Sequence, residues 1–278
     1  MAPGRPLSIL LVAPLLLTLA LLLAYPTWCA VTLAFTDPFT HAFPSLANFA
    51  SLRRDPLFWR AVANNAVLPF LSVTVELATG LALALFLSLR FPGRRVLRTI
   101  VVLPFALPEI VVLIVMRYVF TSRGYANAAL AAAGMGPVEW LTPGHPLSLV
   151  TVVLVDAWHV TPVVFLLLLA GLTAIPEDVQ EAARMDGAGA MRRFWFVTLP
   201  LLRPALFAAV LLRGVDALRV FATPLVLTGV EGVPVLSTYA YHQWSDYGND
   251  MAAAAAASVL AALSVALTLP LLRRRATA

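Results

Sequence analysis

Long apolar blocks alternate with short polar segments along the chain, and each block is long enough to cross a membrane as a helix. The blocks fall at about 7–34, 62–88, 98–120, 147–170, 203–228 and 251–272. About 20 mostly apolar residues span a hydrocarbon layer as a helix. The segments between them, 35–61, 89–97, 121–146, 171–202 and 229–250, carry the Pro, Gly, Asp, Asn and Arg expected where a chain leaves the bilayer. None is long enough to fold as a soluble domain, and neither a 20–50-residue repeat nor an inverted pair of halves is present. The pattern predicts an all-α membrane protein of six transmembrane helices, in a single domain over 1–278.

Composition sharpens this. Charged residues make up 12% of the chain and hydrophobic ones 61%, against about 25% charged in a soluble domain. The net charge of +5 therefore says less than its placement, and it does not point to nucleic acid. With the N-terminus in the cytoplasm, twelve arginines fall inside: Arg5, Arg90, Arg94, Arg95, Arg98, Arg184, Arg192, Arg193, Arg203, Arg273, Arg274 and Arg275. Five fall outside: Arg53, Arg54, Arg60, Arg117 and Arg123. The positive-inside bias thus places both termini and the 171–202 loop in the cytoplasm. Trp59, Trp140, Trp244 and Tyr247 then lie near outer span ends and Trp195 near an inner one, as aromatic belts require, while Trp158 sits within its span. The first block runs past the about 7–15 residues of a signal peptide core without a clean cleavage site, so it is expected to remain as a span. Cys29, the one cysteine, is expected to be a small core residue.

One polar segment has more pattern than the rest. In 176–200, "PEDVQEAARMDGAGAMRRFWFVTLP", Pro176 suits a first helical position, and Glu177 and Asp178 sit in the first turn, where negative charge suits the helix dipole. Val179, Ala182, Ala183 and Asp186 share one mostly small face. Gly187 suits a left-handed residue ending the helix. A second short helix would carry Met191, Phe194, Trp195 and Thr198 on one side, with Pro200 and Pro204 flanking entry to the fifth span. Periodicity alone leaves open whether this hairpin is a passive connector or a docking element.

Ionisable residues inside the spans are costly and invite a functional reading. Glu76 and Glu109 sit near the middle of the second and third spans, and Arg213, Asp216 and Arg219 occupy the fifth. Interhelical ion pairing is the plain role for Glu76 and Glu109, whereas Asp216 and Arg219 suit a solute pathway. Pro224 would open a break exposing carbonyls to a cavity. Pro104 and Pro108 would bend the third span, and the alanine-rich run Met251–Ala257 would pack closely on a neighbour. His159 has no second metal ligand at useful spacing, so no metal is expected.

Glu181-Ala182-Ala183, three residues, Gly187, nine residues and Val197-Thr198-Leu199-Pro200 resemble the EAA loop of permease subunits in binding-protein-dependent ABC importers. "DPLFWRAVANNAV", "VLRTIVVLPFALPEIVV", "LLLLAGLTAIPEDVQEAARMDGA" and "RVFATPLVLTG" are similar to the sugar-type branch, related to the maltose and glycerol-phosphate permeases, and the resemblance covers about 8–272. It implies the type I ABC importer permease fold and a bacterial or archaeal plasma-membrane location. It also implies four kinds of partner: membrane lipid, a second, non-identical permease subunit, an ABC ATPase dimer, and an extracytoplasmic solute-binding protein. The loop would be the coupling element, with Glu181 making the polar contact, Ala182, Ala183, Asp186 and Ala188 completing the motif, and Gly187 forming the elbow. The fifth span would line the solute cavity, making Asp216, Arg219, Glu76 and Glu109 the pathway candidates. The implied solute is a sugar or oligosaccharide, with glycerol phosphates and polyamine-like solutes behind it; the arginines of the fifth span keep an anionic solute open. Independently, the chain has no lysine, and a P-loop needs one to reach nucleotide phosphates. No cofactor is expected on this chain, no catalytic residue is identified, and ATP belongs to the partner. A stand-alone secondary transporter is the competing expectation, and an intramembrane enzyme lacks a catalytic constellation.

Overall fold

A computed structural model describes residues 5–276; the expected domain of 1–278 also takes in Met1–Gly4, Thr277 and Ala278, which lie outside the described residues. In chain order the helices are α1 (Arg5–Leu19), α2 (Tyr25–Ala34), α3 (Ala47–Arg54), α4 (Pro56–Ser88), α5 (Arg94–Ala106), α6 (Glu109–Val119) and α7 (Tyr125–Ala132). There follow α8 (Pro146–Thr173), α9 (Glu177–Met185), α10 (Ala190–Arg193), α11 (Leu199–Leu218), α12 (Ala222–Gly232), α13 (Leu236–Ser245) and α14 (Asp250–Ala276). Five helical stretches are long and apolar enough to cross a membrane, and the bent pair α5–α6 makes a sixth.

The two π-helical turns, Ala20–Ala24 and Phe194–Thr198, have a common cause. Each ends two residues before a proline, Pro26 or Pro200. A proline inside an α-helix lacks a donor and clashes with the carbonyl four residues back. One widened turn relieves both conflicts without ending the helix. The fifth span therefore does not begin after a separate short helix, as the polar residues suggested. It runs through Ala190–Gly232 with α10, the π turn and α11 continuous. The expected shared face of Met191, Phe194, Trp195 and Thr198 does not form, because Met191 and Trp195 are exposed while Phe194 and Thr198 are half-buried.

The third span is broken rather than gently curved. Leu107 and Pro108 are extended between α5 and α6, and the two helices meet at 94°. A residue before proline is driven out of the helical region, which accounts for the break at Leu107.

α4 and α8 pack against each other most extensively. Gly80 makes the approach possible: a Cβ there would lie 2.8 Å from Val164 Cγ1 and 3.2 Å from the Phe165 backbone nitrogen. Ala84, Leu87, Phe165, Leu168, Leu202 and Ala209 continue that core onto α11. At the other end α14 packs on α2 and α13 through Ala254, Ala255 and Ala256, with Ala34, Phe58, Leu236 and Tyr239. The alanine run thus does what its small side chains suggested. Cys29 does not belong to this core; it is exposed on α2.

Buried amides hold the irregular segments. Asn48 donates to the carbonyls of Ala34 and Thr36 at 2.9 and 2.7 Å, closing the end of α2. Asn65 on α4 donates to Leu218 O at 3.0 Å and accepts from Leu236 N at 3.1 Å. Its neighbours Asn64 and Arg60 donate to Pro234 O and Glu231 O. One face of α4 therefore fastens the chain where it leaves α11 and re-enters as α13. The fifth span breaks at Val220–Phe221, ahead of Pro224 in the first turn of α12, and kinks again at Gly229, whose φ is +69°. Of the carbonyls around the break, Leu218 O is taken by Asn65 and Val220 O by the Ser237 hydroxyl, while Arg219, Val220, Phe221 and Ala222 line a cavity.

Candidate functional site

Two regions hold the expected site residues, one at the centre of the bundle and one at the α9 hairpin. At the centre, α4 and α8 each deliver one acid, Glu76 and Asp156, and α11 delivers Arg213 and Asp216. Arg213 grips Glu76 through two bonds, Nε to Oε2 at 2.7 Å and Nη2 to Oε1 at 2.9 Å. Both are buried, with Glu76 fully so. Asp156 Oδ2 lies 3.8 Å from Arg213 Nη2, and Asp216 Oδ2 lies 3.7 Å from Arg213 Nη1. Asp156 Oδ1 accepts from the Thr223 hydroxyl at 3.2 Å, tying α8 to α12. Arg219 reaches Asp216 at 3.4 Å, both of them substantially exposed. A two-bond guanidinium–carboxylate pair is the strong form of the contact, and inside a bundle the alternative of an unpaired charge is prohibitive.

Beside this cluster lies a cavity of about 540 Å³, within the usual range for small-molecule sites. Glu109, Asp156, His159, Arg213, Asp216 and Arg219 supply its polar wall, and Phe105, Val160, Val163, Leu212 and Phe221 much of its apolar wall.

The structure therefore sorts the four expected pathway residues. Asp216 and Arg219 line the cavity. Glu76 stands behind it, committed to Arg213. Glu109 also lines it but makes no ion pair among the described residues; it lies in the exposed first turn of α6, where the helix starts afresh after the break. Sequence reasoning missed Asp156 altogether and set His159 aside. The signal for Asp156 was present, since a lone acid in "VTVVLVDAWHV" is as costly in a span as Glu76.

The second region is the hairpin. Pro176 caps α9 rather than occupying its first position, leaving Glu177 and Asp178 in the first turn. Glu177 also pairs with Arg90, just past the C-terminal end of α4. Gly187 is left-handed, with φ +74°, and the amide of Ala188 returns to Ala183 O at 3.0 Å, closing the helix end. The expected shared face is split. Ala183 is buried and Gln180 donates to the Thr198 hydroxyl at 3.1 Å, so this side sits on the π turn. Glu181, Ala182, Met185 and Asp186 are exposed on the outside, and Ala188 is half-buried.

A six-span helical bundle with a charged central cavity and a projecting polar hairpin defines a membrane transport subunit. Residues 76–276 match the family described as the inner membrane component of binding-protein-dependent transport systems, and the chain belongs to that family. It is 38% identical over 255 residues to the trehalose/maltose transport system permease protein of Thermococcus litoralis, covering 87% of this chain and 85% of that one. Over 230 residues it is 37% identical to the trehalose transport system permease protein of Mycobacterium tuberculosis, covering 81% and 74%. A crystal structure of a bacterial ABC transporter involved in import of the acidic polysaccharide alginate contains a chain of the same fold, with a TM-score of 0.86 at 24% identity over 98% of this chain and 96% of that chain. The fold is that of a type I ABC importer permease, and the chain is a multi-pass inner-membrane protein serving as a translocation subunit.

Proposed function

We propose that this chain forms half of the translocation pathway of an ATP-driven sugar importer and takes its power stroke through the α9 hairpin. The observation that carries the reading is the hairpin itself. Glu181, Ala182 and Asp186 turn outward from the bundle, with Met185 88% exposed beside them, while Ala183 and Gln180 anchor the inner side. Such a surface suits a groove on a separate ATPase: Glu181 makes the polar contact, the alanines allow close seating, and Gly187 sets the elbow, with Asp186 and Ala188 holding its two sides.

Both termini and the hairpin lie in the cytoplasm in this reading, in line with the arginine bias. The chain hydrolyses nothing and binds no cofactor; nucleotide sits on the ATPase dimer. A second, non-identical permease supplies the other half of the pathway, and a solute-binding protein loads it from outside. The sugar assignment draws on the relatives named for trehalose and maltose transport. In the pathway, Asp216, Arg219 and Glu109 face the solute, while Glu76 keeps Arg213 in place.

Affinity purification of the tagged chain from its native membrane tests this. A P-loop ATPase and a second permease should accompany the wild type, and the ATPase alone should be lost from Gly187→Trp. A chain that purifies by itself, and transports a solute by itself after reconstitution, would make it a stand-alone secondary transporter instead.

A further inference from the structure

The hairpin end of the bundle separates its charges. Residues 171–203 hold four acids and four arginines; every acid lies within 177–186, while Arg192, Arg193 and Arg203 follow on the rod that becomes the fifth span. Arg192 is exposed and Arg193 half-buried, and neither side chain makes an ion pair or a hydrogen bond among the described residues. The acids do not answer them locally. Glu177 pairs with Arg90, and Asp178, Glu181 and Asp186 stay exposed on α9 or at its end.

Apolar surface begins immediately after the two arginines. On the π turn Trp195 is 55% exposed and Phe196 76%, and from Phe194 to Leu212 the only charged residue is Arg203. Trp prefers the headgroup level of a bilayer, so Arg192 and Arg193, one turn earlier, stand on the polar side of that boundary. The same order recurs on α5, where Arg94 and Arg95 precede the exposed Val96, Leu97 and Ile100. The Arg90–Glu177 pair ties α9 to the chain just ahead of α5, so both arginine pairs serve one end of the bundle.

The chemistry that answers this surface is a phosphate with acyl chains attached. A guanidinium offers a phosphate two parallel N–H bonds, and an anionic leaflet attracts juxtamembrane arginines. A zwitterionic lipid carries its own cation beside the phosphate, so net charge separates the two lipid classes. A soluble anion would match the arginines but leave Trp195 and Phe196 uncovered. Those rings also continue into the lipid-facing surface of the fifth span, where Leu201 is exposed further along.

We propose that Arg192 and Arg193, with Trp195 and Phe196, form a binding site for an anionic phospholipid in the leaflet on the hairpin's side. The lipid phosphate sits on the two guanidinium groups, and its chains lie along the exposed rings. The site falls on the π turn that joins the hairpin to the fifth span, so anionic lipid grips the root of the hairpin. The inference needs only that the bundle crosses a membrane, and it stands whichever solute is carried.

For the test, the full chain, with the subunits that co-purify, is placed in nanodiscs of phosphatidylcholine and a minor share of phosphatidylglycerol. The same amount of lipid is brominated on its acyl chains in each sample, either as phosphatidylglycerol or as phosphatidylcholine. The Trp195 signal is the difference between wild type and Trp195→Phe. Brominated phosphatidylglycerol should quench it several-fold more strongly, since each arginine near an anionic surface is worth about fivefold in affinity. Arg192→Gln with Arg193→Gln should bring the two lipids level, and Arg192→Gln alone should take the preference part of the way. Arg94→Gln with Arg95→Gln, an equal loss of charge at the same end, should keep it. Equal quenching in the wild type, or a preference that survives Arg192→Gln with Arg193→Gln, overturns the proposal. So does a preference that Arg94→Gln with Arg95→Gln also abolishes, which would make it the field of the whole end rather than a site. Quenching by neither lipid overturns it too, by showing that another subunit covers this face.

Discussion

The central ion cluster and the α9 hairpin use similar residues in opposite ways. At the centre, Glu76 and Arg213 answer each other through two bonds, and Arg213 also lies within ion-pair range of Asp156 and Asp216. At the hairpin, Glu181 and Asp186 have no ion-pair partner among the described residues and stay exposed. In the bundle an unanswered charge is prohibitive, so pairing there is a condition of folding. At the hairpin, water solvates the same groups at little cost, and they remain available to another protein. An ionised residue therefore means different things on this chain according to what it would face if left alone.

The comparison makes graded predictions. The largest effect should follow from breaking the central pair: Arg213→Met leaves Glu76 buried without its partner, and removing one member of a buried pair costs about 3–5 kcal/mol. The solubilised variant should unfold at a clearly lower temperature, and the double variant Arg213→Met with Glu76→Leu should recover most of the loss. No recovery would mean that Asp156 and Asp216 depend on Arg213 as much as Glu76 does.

Next, Asn65→Leu should strip a partner from Leu218 O and Leu236 N, at about 1–3 kcal/mol for each buried group left unsatisfied. Hydrogen exchange should rise locally around 218–236 before the rest of the chain loosens. Uniform exchange would show that the re-entrant segment is held by packing instead.

At the hairpin the expected stability cost is smaller and the functional cost larger. Gly187→Val forces a side chain into a left-handed conformation, at about 1–2 kcal/mol. Glu181→Lys should leave thermal stability within about 0.5 kcal/mol, as exposed substitutions do, while ATPase co-purification drops. If Glu181→Lys destabilises the chain without affecting the ATPase, the contrast between the two regions fails.

The smallest effect lies between α13 and α14. Bonds from Ser245 and then His242 hold the exposed Asp246 carboxyl below its ordinary range. Its stabilising contribution is therefore complete above the usual carboxylate range and lost as pH falls through that lowered value. Asp246→Asn should remove this part of the acid dependence of thermal stability and nothing else.

Much of this was legible because it depends on local rules. Span positions followed from apolar run length, and the left-handed Gly187 followed from a helix that had to stop. Boundaries moved where side chains outside the pattern intervened. The second span starts at Pro56, six residues earlier than the apolar run, because Asp55 accepts the Leu57 amide at 2.8 Å and caps it. The fifth starts at Ala190 because a π turn absorbs Pro200. Acids and arginines were seen to be available for pairing, but that Arg213 would choose Glu76, 137 positions away, is set by how α4 and α11 meet. The cavity was legible only in part: Asp216, Arg219 and Glu109 were in view, while His159 gains meaning only from a wall assembled by several helices.

The π turn at Phe194–Thr198 has a further consequence. It stands between the hairpin and Arg213 on what is otherwise one continuous rod. An α-helix advances about 100° per residue, so the residue a widened turn takes up resets the angular phase between the two ends by about that amount. The direction in which Arg213 faces is therefore indexed to the hairpin through a single turn. Tightening or loosening that turn would act as a torsional coupling, dialling the charge at the centre by rotation rather than by pulling on it.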